Sequence, residues 1–138
     1  MLPNTDENLF HELSFYTLAH PSSEFIHQYI VDAYGAQAAN ENTKEIRVIF
    51  SLVGLYLSLE KGYTGREVQL FHMKMAKDKI VWPKIELPVD RGSIFVKDVV
   101  AIKEREDRDK KIVEWSQDVW NSYQKQRQVI IQLAEYYL

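Results

Sequence analysis

The stretch IRVIFSLVGLYLSL, residues 46–59, decides the fold class of this chain. It is apolar on nearly every face of a helical wheel, which is typical of a helix buried on several sides. It is also shorter than the roughly 20 apolar residues that a bilayer-spanning helix needs. Thr43 is placed to cap its start, and Gly62 is placed to end it in the left-handed conformation. The sequence therefore predicts the central helix of a bundle.

Downstream of this stretch, Thr64 and Glu67 have the spacing of a capping box, which predicts a helix from about Gly65 to Lys79. Residues 80–94 then break any helical period within a few positions. The breaks are Trp82-Pro83, Leu87-Pro88 and Arg91-Gly92. Because proline and the residue before it disfavour helix, this part is predicted to be an extended, proline-pinned segment that lies across the bundle.

Two helices are predicted upstream of residue 46. Asn4 with Glu7 can start the first, which Pro21 ends. Ser22 or Ser23 can cap the second. Within that second helix Gly35 indicates either close contact with another helix or a weak point.

The C-terminal third is predicted to contain a short helix at 95–102 and a long helix at 107–138. Between them, residues 103–111 are nine consecutive charges, which indicate a solvated turn or a helix start. A continuous last helix would be about 50 Å long. It either breaks in the polar run 124–128 or overhangs the bundle with an exposed apolar surface, and an overhang would favour a homodimer through this helix. The apolar residues of that surface are Ile130, Ile131, Leu133, Tyr136 and Tyr137.

These elements predict an all-α fold. Its core is an up-and-down four-helix bundle, joined by the extended proline-pinned segment and the long C-terminal helix. A length of 138 residues suits one helical domain spanning 1–138.

The composition narrows the classes of function. No cysteine is present, which excludes disulfides, thiolate metal sites and cysteine nucleophiles. A formal net charge of −3 lacks the broad basic field that nucleic-acid binding requires. Neither phosphate-binding glycine loops nor the GxSxG elbow of serine hydrolases occur. Residues 1–10 do not resemble a secretory signal, which predicts a cytoplasmic location. We expect neither nucleic acid nor membrane as a partner.

Four histidines and one aspartate lie on predicted helices whose other residues are mostly expected in the hydrophobic core. If the first four helices run up and down, a rise of 1.5 Å per residue places Asp32 and His72 at similar heights, with His11 near them. His20 and His27 fall near one end of the bundle. Imidazole and carboxylate ligands suit zinc, manganese, iron(II) or nickel. The predicted metal ligands are His27, Asp32 and His72, with His11 and His20 as further candidates; a purely structural role is the alternative for each histidine.

Other polar residues have competing interpretations. Asp32 could pair with Arg47 or Arg66, which would only stabilise the fold. Arg66 opposes the helix dipole in a first turn, so a carboxylate elsewhere is expected to hold it. Arg91, beside Gly92 in the irregular segment, either contacts a ligand or pins the segment. The candidates for contacting or supporting a ligand are Gln28, Gln37, Arg66, Trp82 and Arg91.

Four motifs carry a resemblance: HQxxVDAYxAQ at 27–37, GLYLxLExGxTGRxVQxxHM at 54–73, Trp82-Pro83, and Asp90-Arg91-Gly92. Their order and spacing resemble those of an uncharacterised family of small bacterial helical proteins, a domain of unknown function, over roughly residues 10–120. The resemblance implies no nameable reaction. It suggests that the polar residues of these motifs be tested first. Cysteine pairs near the N-terminus, which many members carry, have no counterpart here.

Three functions follow as expectations. The first is a binding or assembly module, in which the last helix and the aromatic surplus of 12% form an interface with another protein or a second copy. The second is a divalent-metal site, where a bound water would be the reactive species. The third is a metal-free small-ligand cavity between the bundle and residues 82–91. Convergence of His27, Asp32 and His72 at a cleft would favour the metal site, and divergence would count against it.

Overall fold

The computed structural model describes residues 5–20 and 25–138 and folds them into seven α-helices. No described residue lies in a β-strand, so the all-α prediction is confirmed. A 3-10 turn at Gln124–Gln126 separates the last two helices. The helices are α1 (Asp6–Ala19), α2 (His27–Gln37), α3 (Glu45–Glu60), α4 (Gly65–Ala76), α5 (Val96–Val100), α6 (Arg105–Ser122) and α7 (Arg127–Tyr137).

Helix α3 lies at the centre, as its sequence predicts. Val48, Ile49 and all residues of 51–57 are buried. Helices α2, α4, α6 and α7 pack around it, and α2 forms the most extensive contact. Helix α1 lies chiefly on α5 and less on α2. The core therefore includes the C-terminal helices α6 and α7, which pack on α3. An up-and-down arrangement of the first four helices is not confirmed.

Two close approaches bring α2 against α3. A Cβ atom added at Gly35 would lie 2.3 Å from the Ser51 hydroxyl oxygen, and one added at Gly54 would lie 2.0 Å from Oδ2 of Asp32. Real Cβ contacts are essentially never this short. The expectation that Gly35 marks a close helix contact is thus confirmed.

The ends of α3 are set differently from each other. Gly62 ends the helix with a φ of +72°, as predicted, and the amides of Lys61 and Tyr63 both donate to the carbonyl of Leu57. The prediction that Thr43 caps the start is wrong. Lys44 occupies the cap position without a side-chain hydrogen bond, because the Thr43 hydroxyl accepts from the Asn40 amide within the preceding loop.

The capping box of α4 is confirmed, since Thr64 accepts from the Glu67 amide and Glu67 accepts from the Thr64 amide. The helix ends at Ala76, three residues before the predicted Lys79. Helix α1 is capped by Thr5, whose hydroxyl accepts from the Asn8 amide. The predicted start and stop signals at Asn4, Pro21, Ser22 and Ser23 lie outside the described residues.

The long C-terminal helix breaks at Tyr123–Gln126 instead of overhanging. The buried Tyr123 hydroxyl donates to the Ala36 carbonyl over 2.6 Å, which anchors the break to the end of α2. Helix α7 then packs on α3. Of the two alternatives that the sequence allows, the break is therefore the one observed, and Ile130 is fully buried, although Tyr136 remains 78% exposed.

The run of charges at 103–111 begins α6, as one of its two interpretations predicts. Glu104 caps the helix by accepting from the amides of Glu106 and Asp107. Arg108 departs from the expectation of a solvated run, because it is buried and donates to the carbonyls of Val100 and Ile102 at the end of α5.

Residues 77–95 between α4 and α5 contain no regular helix, as predicted for the proline-pinned segment. Ile85 is buried, and its amide donates to Glu45 of α3. Gln126 donates to the carbonyl of Glu86 from the other side. The short helix that follows is capped by Asp98, which accepts from the Phe95 amide. Among the described helices, none has the length and apolarity to cross a membrane.

Candidate functional site

The three predicted metal ligands each bind a different partner within the protein. His27 Nδ1 lies 2.9 Å from the Thr17 hydroxyl. His72 Nε2 donates to the Phe50 carbonyl over 2.7 Å, which fixes its proton on that nitrogen because a carbonyl only accepts. Burial lowers the pKa of both histidines, so both favour the neutral form.

Asp32 is buried at the α2–α3 contact. Its Oδ1 accepts from Gln28 Nε2 over 3.1 Å, which brings together two residues of the HQxxVDAYxAQ motif. Burial raises the pKa of the Asp32 carboxyl well above its usual value, and the Gln28 bond opposes this only in part. No described cation forms an ion pair with Asp32, so the expected pairing with Arg47 or Arg66 is absent from the described part of the chain.

His11 and His20 lie on the exposed side of α1. His11 is 3.7 Å from Glu7, and His20 Nδ1 is 2.9 Å from the Tyr16 carbonyl. Over residues 5–20 and 25–138, no group of three histidine, aspartate or glutamate side chains is disposed to hold a metal ion. The set His27, Asp32 and His72 therefore stays a prediction without geometric support.

Gln37 and Arg91, by contrast, are brought together at the end of α2. Gln37 donates to the carbonyls of Arg91 and Ile94, and its Oε1 accepts from Trp115 Nε1 over 2.9 Å. Arg91 in turn donates to the carbonyls of Gln37, Ala39 and Pro88. The bonds between Gln37 and the carbonyls of Arg91 and Ile94, and those from Arg91 to the carbonyls of Gln37 and Ala39, join the extended segment to the bundle, which is the pinning interpretation of Arg91.

The Asp90-Arg91-Gly92 motif is completed by α6. Gly92 has a φ of +101°, and its amide donates to Asp90. Asp118 of α6 accepts from the amides of Ser93 and Ile94 over 2.7 and 2.9 Å. The motif thus forms a turn that clamps the segment onto α2 and α6.

Trp82 and Arg66 make aromatic contacts. The Trp82 ring meets the Phe50 ring edge-on at 5.7 Å, and His72 stacks on the same Phe50 ring at 5.1 Å. Arg66 lies over the Phe25 ring at 4.9 Å, and no carboxylate among the described residues forms an ion pair with it. Two predicted residues, His72 and Trp82, therefore hold Phe50 in place.

A cavity of about 390 Å³ lies between the bundle and the extended segment, where the sequence predicts a ligand cavity. Its charged lining residues are Glu41, Glu45, Lys84, Glu86 and Arg91. Glu45 is already bonded to the Ile85 amide, and Arg91 to carbonyls. Two of the five charged side chains are thus hydrogen-bonded within the protein, and the lining carries charges of both signs.

A second open site runs along α2 and α3, and we call it the α2–α3 groove. Its cationic lobe, about 490 Å³, is lined by Tyr34, Ala38, Ala39, Asn40, Asn42, Thr43 and Lys44. Its apolar lobe, about 320 Å³, is lined by Val31, Ile46, Phe50 and Ser51. Gly35 and Arg47 line both lobes, so the two are adjacent.

The cationic lobe contains two positive side chains. Among the described residues, its lining contains Lys44 and Arg47 and no carboxylate. Neither of these side chains has a hydrogen-bond or ion-pair partner among the described residues. Arg47 also lies in the first turn of α3, where a cation opposes the helix dipole. An arginine at such a position is the sequence signal for this groove, although the sequence pattern alone indicates Arg47 only as a partner for Asp32.

Tyr34 forms an aromatic wall of the cationic lobe. Its ring is stacked on Phe10 of α1 with centroids 4.3 Å apart and an interplanar angle of 10°. Burial, followed by the charges of Glu7 and Asp6, raises the pKa of its hydroxyl. These two acids lie outside the lining but reduce the net positive potential there.

Fold and site together define a small all-α protein with an open groove beside its central helix pair. The chain belongs to a family of unknown function, DUF5946, whose model matches residues 7–124. This confirms the family resemblance that the motifs indicate. No curated protein and no solved structure matches the chain.

Proposed function

We propose that this chain is a binding module whose ligand is a small organic anion held in the cationic lobe of the α2–α3 groove. The proposal depends mainly on one observation: within residues 5–20 and 25–138, Lys44 and Arg47 line one open cavity with no carboxylate in its lining and no hydrogen-bond or ion-pair partner. Arginine is suited to this task, because its planar fork binds a carboxylate or phosphate through two parallel hydrogen bonds.

Size and position support this choice. Ligand cavities typically have volumes of about 300–1,000 Å³, and the cationic lobe at about 490 Å³ falls within that range. The cavity beside the extended segment is comparable in size, but three glutamates line it and its arginine is bonded to carbonyls. The groove therefore offers two uncommitted cations apart from lining carboxylates of the described residues, whereas Lys84 of the segment cavity shares its lining with three glutamates.

The test is an NMR titration of the isotope-labelled protein with acetate and with inorganic phosphate, in which the backbone amide chemical shifts are measured. The expected result is a set of saturable shifts concentrated at residues 34–47, with dissociation constants in the millimolar range because such small anions form few contacts. Arg47→Gln should abolish these shifts. Arg105→Gln, at the first position of α6, is the matched control and should leave them intact. Shifts spread evenly over all cationic residues would refute the proposal.

A second candidate function is self-association through α7. Its support is the exposure of three large apolar side chains on or next to that helix: Val129 at 39%, Tyr136 at 78% and Leu138 at 50%. Light scattering at micromolar concentration should then give a dimer mass that Tyr136→Ser reduces. Leu70→Ser on α4, where the apolar side chain is 58% exposed, is the control. A monomeric mass for the unmodified chain would dismiss this candidate.

A further inference from the structure

The two lobes of the α2–α3 groove differ in chemistry along its length. One end has Lys44 and Arg47, while the other is walled by Val31, Ile46 and Phe50. The wall positions follow helical spacing, since Val31 and Gly35 are four residues apart on α2 and Ile46 and Phe50 are four apart on α3. Arg47 belongs to both lobes and therefore marks the junction.

The apolar wall is held rigidly from behind. The Phe50 ring is stacked on His72 and meets Trp82 edge-on, and its carbonyl accepts the His72 hydrogen bond. A wall fixed in this way loses little side-chain entropy when a ligand covers it. Gly35 lines both lobes with backbone alone, because the Ser51 hydroxyl lies 2.3 Å from the place of its missing Cβ.

The charge pattern favours one anionic group over several. Lys44 and Arg47 supply two positive charges, and Asp6 and Glu7 lie near enough to Tyr34 to offset part of that potential. A ligand with a single carboxylate satisfies the arginine fork and adds less repulsion than a doubly charged phosphate. Of the described residues that line the apolar lobe, Arg47 alone is charged, which favours an uncharged remainder of the ligand.

From this juxtaposition we infer that the ligand class is a small amphiphilic carboxylate, with its carboxylate on Arg47 and Lys44 and its hydrocarbon part on Val31, Ile46 and Phe50. The inference rests on the proposed function and specifies its substrate class. Contact with the hydrocarbon part of the ligand distinguishes this groove from a site for inorganic or strongly polar anions.

The experiment compares butanoate, octanoate and octanol by isothermal titration calorimetry. A fully buried methylene changes affinity by roughly fourfold, so four added methylenes, even if only partly buried, should make octanoate bind at least about tenfold more tightly than butanoate. Octanol should bind about tenfold more weakly than octanoate, because it cannot form the charge-assisted bonds. Octyl phosphate tests the head group and should not exceed octanoate.

Two variants separate the lobes. Val31→Trp fills the apolar lobe and should reduce the affinity for octanoate to the level of butanoate, while the affinity for butanoate stays unchanged. Val113→Trp on α6, where the valine is 48% exposed, is the control. Arg47→Gln should weaken octanoate about tenfold and leave octanol unaffected, with Arg105→Gln as its control. Equal affinities for butanoate and octanoate, or no effect of Val31→Trp, would overturn this inference while anion binding at residues 34–47 stood. Tighter octyl phosphate binding would overturn the carboxylate assignment.

Discussion

Replacing Gly54 by alanine tests the closest contact in the core. The added Cβ would lie 2.0 Å from Oδ2 of Asp32, whereas ordinary van der Waals contact begins near 3.4 Å. The missing separation is therefore about 1.4 Å. Asp32 cannot turn into solvent because it is 3% exposed, so either its carboxyl must leave Gln28 or the two helices must move apart.

The expected loss in the free energy of unfolding is about 3 kcal/mol. Overpacking a well-packed core costs about 1–3 kcal/mol. Breaking the buried Gln28–Asp32 hydrogen bond adds about 1–3 kcal/mol. Alanine returns about 1 kcal/mol through its higher helix propensity. Since domains of this kind are stable by about 5–15 kcal/mol, the variant should fold but unfold at clearly lower denaturant concentration.

Urea denaturation followed by circular dichroism and by tryptophan fluorescence measures this loss. Asp32→Ala removes the obstructing carboxyl, so Gly54→Ala should cost little in that background, and a double-mutant cycle should give a coupling of about 3 kcal/mol. Gly62→Ala is the control for backbone strain alone, because its added Cβ meets nothing within 4 Å. Equal costs of Gly54→Ala in the two backgrounds would refute the steric reasoning.

Three further outcomes are expected. Because burial raises the pKa of Asp32, the folded state holds the carboxyl proton more tightly than the unfolded state does. The free energy of unfolding should therefore fall as the pH rises from about 4 towards the raised pKa. Asp32→Asn should remove this fall, and equal pH slopes for variant and wild type in urea denaturation would contradict the prediction. Thr64→Ala should cost about 1 kcal/mol in the same assay by opening the capping box of α4, and a change below about 0.2 kcal/mol would show that the box contributes nothing. Gly92→Ala should lower the melting temperature, because the φ of Gly92 is +101° and the added Cβ would lie 2.4 Å from Asp118. Asp118→Ala in the same chain should relieve the steric clash but not the backbone strain. An unchanged melting temperature for Gly92→Ala would contradict the role of this turn as a clamp.

Several local features could be predicted from the sequence because neighbouring residues determine them. The capping box needs only Thr64 and Glu67 at the right spacing, and the end of α3 needs only a glycine at position 62. The burial of α3 follows from residues 46–59, which offer no polar face. The break of α6 from α7 falls at the polar run 124–128, one of the two outcomes that the sequence allows.

The candidate site could not be predicted in the same way. A rise of 1.5 Å per residue orders side chains along a helix but leaves the rotation about its axis undetermined. His72 thus faces Phe50 and Asp32 faces Gly54, so residues expected at similar heights do not meet. For Arg47, only the packing of α2 on α3 shows that it lines an open groove.

The sequence by itself determined the all-α class, the buried central helix and the helix boundaries that depend on local capping, since these follow from periodicity and nearby hydrogen bonds. The tertiary structure decided which side chains meet. It committed Gln37 and Arg91 to the clamp on the extended segment, and it left Lys44 and Arg47 unpaired beside an apolar lobe. The physical reason is that helix rotation and packing order depend on contacts between residues far apart in the chain, which no local pattern specifies.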